Sequence, residues 1–485
     1  MSPAKMMEMI LTLRRQNRSG VDILREKKFH MPTAYTILFL LLILVAAATW
    51  IIPAGSYDYV DGVPVAGTYH AVEQNPQGVG DVLKAAFSGF YDAVDVCIFI
   101  LMVGGFLGVV MKTGAVDAGV ANVIRLLGGR EKWLIPILML LFGLGGTTYG
   151  MWEETMAFYP LLIPVFLAAG YDAVVGISVI LLGAGAGVIA STVNPFATGI
   201  AAGFAGVSLG EGIVLRLLEW VAFEAAAIWF VMAYAARIKR NPSKSVVGVG
   251  AGKIQVTMDQ QVPFTAKRKV IMAFFTLTFL IMVYAVVPFD EMGLPLPTLG
   301  WWFPELSALF LVAGVVIGLI DRMSEEELVE TYVAGCADLL GVAFIIGISR
   351  GITVLMRDGA ITDTILHWGE AALSGAGAVS FTLLVFVLYL PLTILIPSSS
   401  GLATLSIPIV APLGKFAGVG GDLVVTAFQS ASGLVNILTP TAAVVMGALA
   451  LGHVPYDRWV KYVWKLMLWF LLLALVFLVA GVLLG

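Results

Sequence analysis

Between Asp172 and Glu211 the chain runs for 38 residues without a charge, and Asn194-Pro195 stands near the middle of that run. A straight helix crosses a hydrocarbon core of ~30 Å in about 20 residues, so a run of this length crosses once only if it is interrupted. Proline removes a backbone donor and clashes with the carbonyl four residues before it. Ser191, Thr192 and Asn194 can satisfy the groups so freed, and 173–209 therefore reads as a broken transmembrane helix. A second apolar run, 422–451, is interrupted in the same way by Ser430-Ala431-Ser432-Gly433 and by Asn436 to Pro440.

Runs of this kind recur along the whole chain, which is 59% apolar and 12% charged. No water-soluble surface tolerates that balance, and the fold class is an all-α polytopic membrane protein. Further spans are expected near 33–53, 88–111, 213–236, 269–288, 304–320, 335–356 and 462–484, with 133–169 and 376–418 as re-entrant hairpins. With the N-terminus cytoplasmic, only Lys84, Arg216, Arg350, Arg357 and Lys415 of the 28 Lys and Arg fall away from the cytoplasmic side. That places the C-terminus on the periplasmic or extracellular face of an inner membrane. Residues 1–32 read as a cytoplasmic tail and 237–268 as a cytoplasmic linker between two halves, 33–236 and 269–485.

The halves resemble each other. Gly89 and Asp92 return as Gly335 and Asp338, and Met111-Lys112-Thr113-Gly114-Ala115 returns as Met356-Arg357-Asp358-Gly359-Ala360. Gly150 then matches Gly401, Asp172 matches Asp422, and the Asn194-Pro195 break matches Asn436 to Pro440. Five crossings separate the copies, so they are expected upside down relative to each other, the inverted arrangement of many secondary transporters. Short segments 117–127 and 362–373 are expected as surface arm helices.

Each copy pairs its broken helix with a polar hairpin tip: Thr147-Thr148-Tyr149-Gly150 in the first, Ser398-Ser399-Ser400-Gly401 in the second. Tip and break together offer Thr147, Thr148, Gly150, Asn194, Ser398, Ser399, Ser400, Asn436 and Thr439 to a substrate. Ser191, Thr192, Asn194, Ser430, Ser432 and Asn436 are the oxygens expected to hold a coupling Na+, with H+ the alternative. Charges are costly at membrane depth, and three break the internal symmetry: Glu153, Glu154 and Arg350. Arg350 suits a carboxylate, and a glutamate suits an ammonium group or a proton; the competing reading is a structural ion pair among them. Glu219, three residues from Arg216, and Glu224 stay outside the expected site.

Cys97 and Cys336 lie in spans, and His30, His70, His367 and His453 have no ligand spacing. No phosphate-binding loop and no nucleophile beside a histidine appears, so neither an ATP-driven pump nor an enzyme is expected. No cofactor is expected, and no nucleic acid partner.

The stretches GTTYGMWEETMAFYPLLIP, STVNPFATG and SGLVNILTPT resemble the YfcC-like carriers of the anaerobic C4-dicarboxylate carrier family, within the ion-transporter superfamily. The resemblance covers nearly the whole chain beyond the tail. It implies a homodimer with scaffold and transport domains and elevator-type motion. Superfamily dicarboxylate carriers place Ser-Asn-Thr at both tips, and this chain does not, so their ligation does not carry over. The expected function is cation-coupled or exchange transport of a small carboxylate-bearing metabolite. An amino acid, basic ones included, is favoured over a four-carbon dicarboxylate, with an ion channel as the alternative of another class.

Overall fold

The computed structural model describes residues 34–61, 63–116, 118, 119, 122, 130–208, 210–248, 263–286, 289 and 295–484. The expected N-terminal tail, most of the first arm helix and the middle of the expected linker lie outside these residues.

The first half comprises α1 (Ala34–Ala48), α2 (Val79–Asp92), α3 (Val94–Lys112), α4 (Leu134–Tyr149), a short 3-10 segment (Glu153–Phe158) and α5 (Tyr159–Ala168). It continues with α6 (Ala173–Ile189), a π turn (Pro195–Gly199), α7 (Ile200–Ala205) and α8 (Ile213–Arg240). The second half holds α9 (Ala266–Val286), α10 (Phe303–Asp321), α11 (Glu325–Asp358), α12 (Thr362–Leu373) and α13 (Ala378–Leu395). It ends with α14 (Ser399–Phe416), α15 (Gly421–Asn436), α16 (Ala443–Leu451) and α17 (Tyr456–Leu484). Five of these, α3, α10, α11, α13 and α17, are long and apolar enough to cross a membrane. The arms of the second expected hairpin are two 18-residue helices, α13 and α14, meeting at 396–398.

Both runs are interrupted at the expected asparagine–proline segments, whereas Ser430–Gly433, also expected as an interruption, lies inside α15, where Ser430 turns its hydroxyl to Glu219 and the helical ladder stays intact. The first stops at Ile189 and resumes through the π turn at Pro195, and the second stops at Asn436 and resumes at Ala443. One span differs. The segment expected at 88–111 begins as helix at Val79, and α2 and α3 are separated at Ala93, whose φ of −125° and ψ of 23° leave the helical region. The outer helix α2 is amphipathic, with Val79, Leu83, Phe87 and Tyr91 exposed along one stripe, and Asp81 and Lys84 keep it below the threshold of a hydropathy reading.

Small residues let α3 and α11 cross at backbone contact, the usual basis of helix association in lipid. A β-carbon at Gly104 of α3 would come within 2.5 Å of the Gly335 carbonyl oxygen, and α2 approaches α11 as closely, a β-carbon at Gly89 coming within 2.1 Å of the Gly347 carbonyl oxygen. The packing around the breaks joins the two halves. The Glu153–Phe158 segment of the first half packs on α16 of the second, and α14 of the second packs on α7 of the first.

Residues 55–71 form two short antiparallel ladders, β1 (Gly55–Ser56) with β4 (His70–Ala71) and β2 (Tyr59–Val60) with β3 (Val63–Pro64). They clamp α12. The Tyr57 N–H donates to Asp363 at 3.0 Å, the Tyr57 hydroxyl donates to Glu370 at 2.8 Å, and Tyr69 stacks on His367 with ring centroids 4.0 Å apart. Burial, and then the bond to Glu370, push the Tyr57 phenol well above its usual range.

Candidate functional site

The second break, the segment after the first hairpin tip, the second tip and the middle of α11 meet around one cavity. Its walls are Val96, Trp152, Glu153, Ile346, Ser349, Arg350, Pro397, Asn436 and Thr441 to Val444. It holds about 30 Å³ in this conformation, room for one or two waters.

Of the residues expected to contact substrate, Glu153, Arg350 and Asn436 line this cavity together. Glu153 comes from the 3-10 segment after the first tip and Arg350 from α11. They sense each other's charge, yet among the described residues no ion pair joins them. Opposite charges therefore flank the cavity without being spent on each other. The Asn436 side-chain oxygen is buried and finds no hydrogen-bond partner among the described residues. Beside Arg350, α16 begins at Ala443 with no side-chain cap on its N-terminal amides. Free amides and the helix dipole there favour an anion, as Arg350 does.

The other expected residues do not line the cavity. Glu154 is buried and its carboxylate accepts the Trp152 N–H at 3.1 Å, so it holds the tip backbone. Thr147 is buried in a latch: its hydroxyl donates to the Ala190 carbonyl at 2.8 Å and bonds Thr192 Oγ1 at 3.2 Å, and it accepts the Thr192 N–H at 3.1 Å. The Thr147 carbonyl accepts from the N–H groups of Thr192 and Val193. Amides released by the first break are thus taken up by the hairpin tip. Thr148 returns its hydroxyl to the Leu144 carbonyl. Gly150, at φ +77°, lets the chain turn directly against Asn194; a β-carbon there would come within 2.4 Å of the Asn194 amide nitrogen.

At the second tip, Ser398 caps α14 through the Gly401 N–H at 3.3 Å and lies 3.5 Å from the Ser400 hydroxyl, while Ser399 is half-buried beside them. Thr439 pairs its hydroxyl with Thr441 at 2.8 Å inside the second break. Among the expected cation ligands, Ser191 Oγ, Ser432 Oγ and Asn436 Oδ1 are buried oxygens with no partner among the described residues. Thr192 is taken by the latch, Asn194 accepts the Ala197 N–H, and Ser430 donates to Glu219 at 2.8 Å.

Several wall residues carry no sequence signal of their own. Ser349 donates to the Thr441 carbonyl at 2.6 Å, tying the helix that bears Arg350 to the second break. Its only mark in the sequence is adjacency to a charge at membrane depth. Trp152 reaches the cavity through tertiary placement, and Pro397 and Thr441 reach it from the second tip and the second break.

An uncharacterized Haemophilus influenzae protein is 35% identical over 94% of this chain and 98% of its own length. Escherichia coli YfcC, a proposed basic amino acid antiporter, is 30% identical over 90% of this chain and 93% of its own. The solved structure of the Alcanivorax borkumensis YdaH transporter overlays with a TM-score of 0.42 at 16% identity, covering 92% of this chain and 98% of that one. Residues 31–483 match the family described as DcuC, C4-dicarboxylate anaerobic carrier, and the chain belongs to that family of membrane transporters.

Proposed function

We propose that this carrier moves a small metabolite bearing both a carboxylate and an amine, a basic amino acid first among them, by exchange or by coupling to Na+ or H+. The carrying observation is that Arg350 and Glu153 face one cavity without an ion pair between them. Arg350 and the uncapped start of α16 take the carboxylate, and Glu153 takes the amine. A four-carbon dicarboxylate is the second reading, favoured by the family description. It brings a second negative charge toward Glu153, which the amine reading turns into an attraction.

The crossed hairpin packing supports two inverted halves that alternate access to the cavity. A space of about 30 Å³ is too small for such a substrate, so binding requires one hairpin to withdraw. Elevator motion of a hairpin-bearing unit within a homodimer of the inner membrane, N-terminus inside, is the form of alternation this reading adopts. Ser191, Ser432 and Asn436 supply the unpartnered oxygens for Na+ if that ion is the coupled one.

The test uses purified carrier in proteoliposomes loaded with arginine, ornithine, a neutral amino acid or succinate, and measures exchange of each labelled compound. Exchange of arginine that is lost in Arg350→Ala, with Glu153→Gln shifting preference toward neutral or acidic substrates, is the expected result. Succinate exchange unaffected by Glu153→Gln, with none for amino acids, moves the assignment to the dicarboxylate. Ionic conductance without saturation or exchange would remove the carrier reading altogether.

A further inference from the structure

Glu224 stands near the middle of α8 and is 2% exposed. Neither of its carboxylate oxygens has a hydrogen-bond partner among the described residues. The carboxyl is seated in the notch that Gly143 leaves on α4, where a β-carbon would come within 2.4 Å of Oε2. The buried acids nearby differ in this respect: Glu219 accepts from Ser430, and Glu154 accepts the Trp152 N–H.

The helices packed on α8 bring Glu224 no counter-charge. α4 and α6 contain no Asp, Glu, Lys, Arg or His, on α17 Asp457, Arg458, Lys461 and Lys465 all fall within its first ten residues, and Lys244 of the 3-10 turn Pro242–Lys244 lies beyond the C-terminal end of α8. On α8 itself, Arg216 sits beside Asp422 at the helix start and Glu219 turns to Ser430 on α15. Arg237, Lys239 and Arg240 lie in the last turn. An ionised carboxylate enclosed in lipid and apolar protein without donor or counter-ion is costly, whereas the neutral acid fits the same space.

We propose that Glu224 is a proton-binding site of this carrier, and that the first hairpin closes against α8 only while the proton is bound. When the proton passes to water, the carboxylate left behind needs solvation, which the notch on α4 does not admit. α4 then has to withdraw. Gly143 lies one turn before Thr147, so the withdrawal reaches the latch that Thr147 forms with Ala190 and Thr192 at the first break. Proton release at Glu224 and opening of the first hairpin are thereby one event. The inference is independent of the substrate assignment.

Two measurements on the full chain in lipid nanodiscs test it without any substrate. The infrared carbonyl stretch of protonated carboxyl groups, identified by its shift in deuterated water, should lose intensity at neutral pH in Glu224→Gln; an unchanged band overturns the proposal. The second follows labelling of Thr148→Cys by a maleimide, with Cys97 and Cys336 replaced and rates normalised to the denatured protein at each pH. Raising the pH from about 6 to about 9, the range over which buried glutamates have been seen to ionise, should increase the rate several-fold. Glu224→Gln should leave it low and flat. Gly143→Ala, which fills the notch while keeping Glu224, should leave it high and flat. A pH profile in either variant matching that of the parent chain overturns the proposal.

Discussion

The two broken helices meet the same requirement by different means. The first break is held by its own hairpin, since Thr147 receives or donates every bond that joins α4 to Ala190, Thr192 and Val193. The second is held by its flanking helices: Ser349 of α11 donates to Thr441, and Tyr456 and Trp459 of α17 donate to the carbonyls of Leu438 and Ile437. The serines of the second tip cap only their own helix. Withdrawing the first hairpin therefore strands amides at the first break, whereas withdrawing the second leaves the bonds of the second break in place. Sequence symmetry between the copies thus coexists with mechanical asymmetry, because a freed backbone group can be satisfied by whichever neighbour lies nearest.

The largest expected effect is at the latch. Thr147→Val keeps the shape and removes the hydroxyl, leaving the Ala190 carbonyl without its donor in a buried site, while the Thr192 amide and hydroxyl keep the Thr147 carbonyl. Each group left unsatisfied costs about 1–3 kcal/mol. Thermal unfolding in detergent should show a clear loss, and the double variant with Thr192→Val should cost less than the sum of the singles because both act on one network. Additive losses would mean that the two threonines do not share a latch.

A smaller effect is expected at the second break. Ser349→Ala and Tyr456→Phe each remove one donor from a carbonyl, worth about 0.5–1.5 kcal/mol. Ser349→Ala should also weaken transport, since it frees the break from the helix that carries Arg350, while Tyr456→Phe should change stability alone. Equal transport losses in both would extend the functional wall to α17.

How much of this was legible in the sequence follows from what is costly in lipid. Proline, asparagine and serine clusters inside charge-free runs announced both breaks, and three charges at depth announced Glu153 and Arg350, because such residues persist there only with a structural or functional return. Glu154 was announced equally and turned inward instead, since its neighbour Trp152 offered an amide two residues away. Ser349 is ordinary in a transmembrane helix, where a serine commonly bonds its own backbone, and only the crossing of α11 over the break reveals that it holds the Thr441 carbonyl. The separation of α2 from α3 at Ala93 has no proline or glycine to mark it. The clamp of Tyr57 on α12 joins residues more than 300 apart in the chain, a distance at which local pattern carries nothing.

The smallest expected effect decides whether the asymmetry holds. Ser398 is half-buried and its hydroxyl bonds the Gly401 amide at 3.3 Å, a long N-cap bond at the edge of a tip. Ser398→Ala should cost about 0.5–1 kcal/mol, the lower part of the range for a lost cap, and should leave the effects of Ser349→Ala and Tyr456→Phe unchanged when combined with either. Independent sites add, and coupled sites do not. If Ser398→Ala instead matched Thr147→Val in cost, or coupled to Ser349→Ala, the second tip would be bonded into its break as the first is. The two hairpins would then be mechanically equivalent, and the first would lose its distinction as the one whose release is tied to a break.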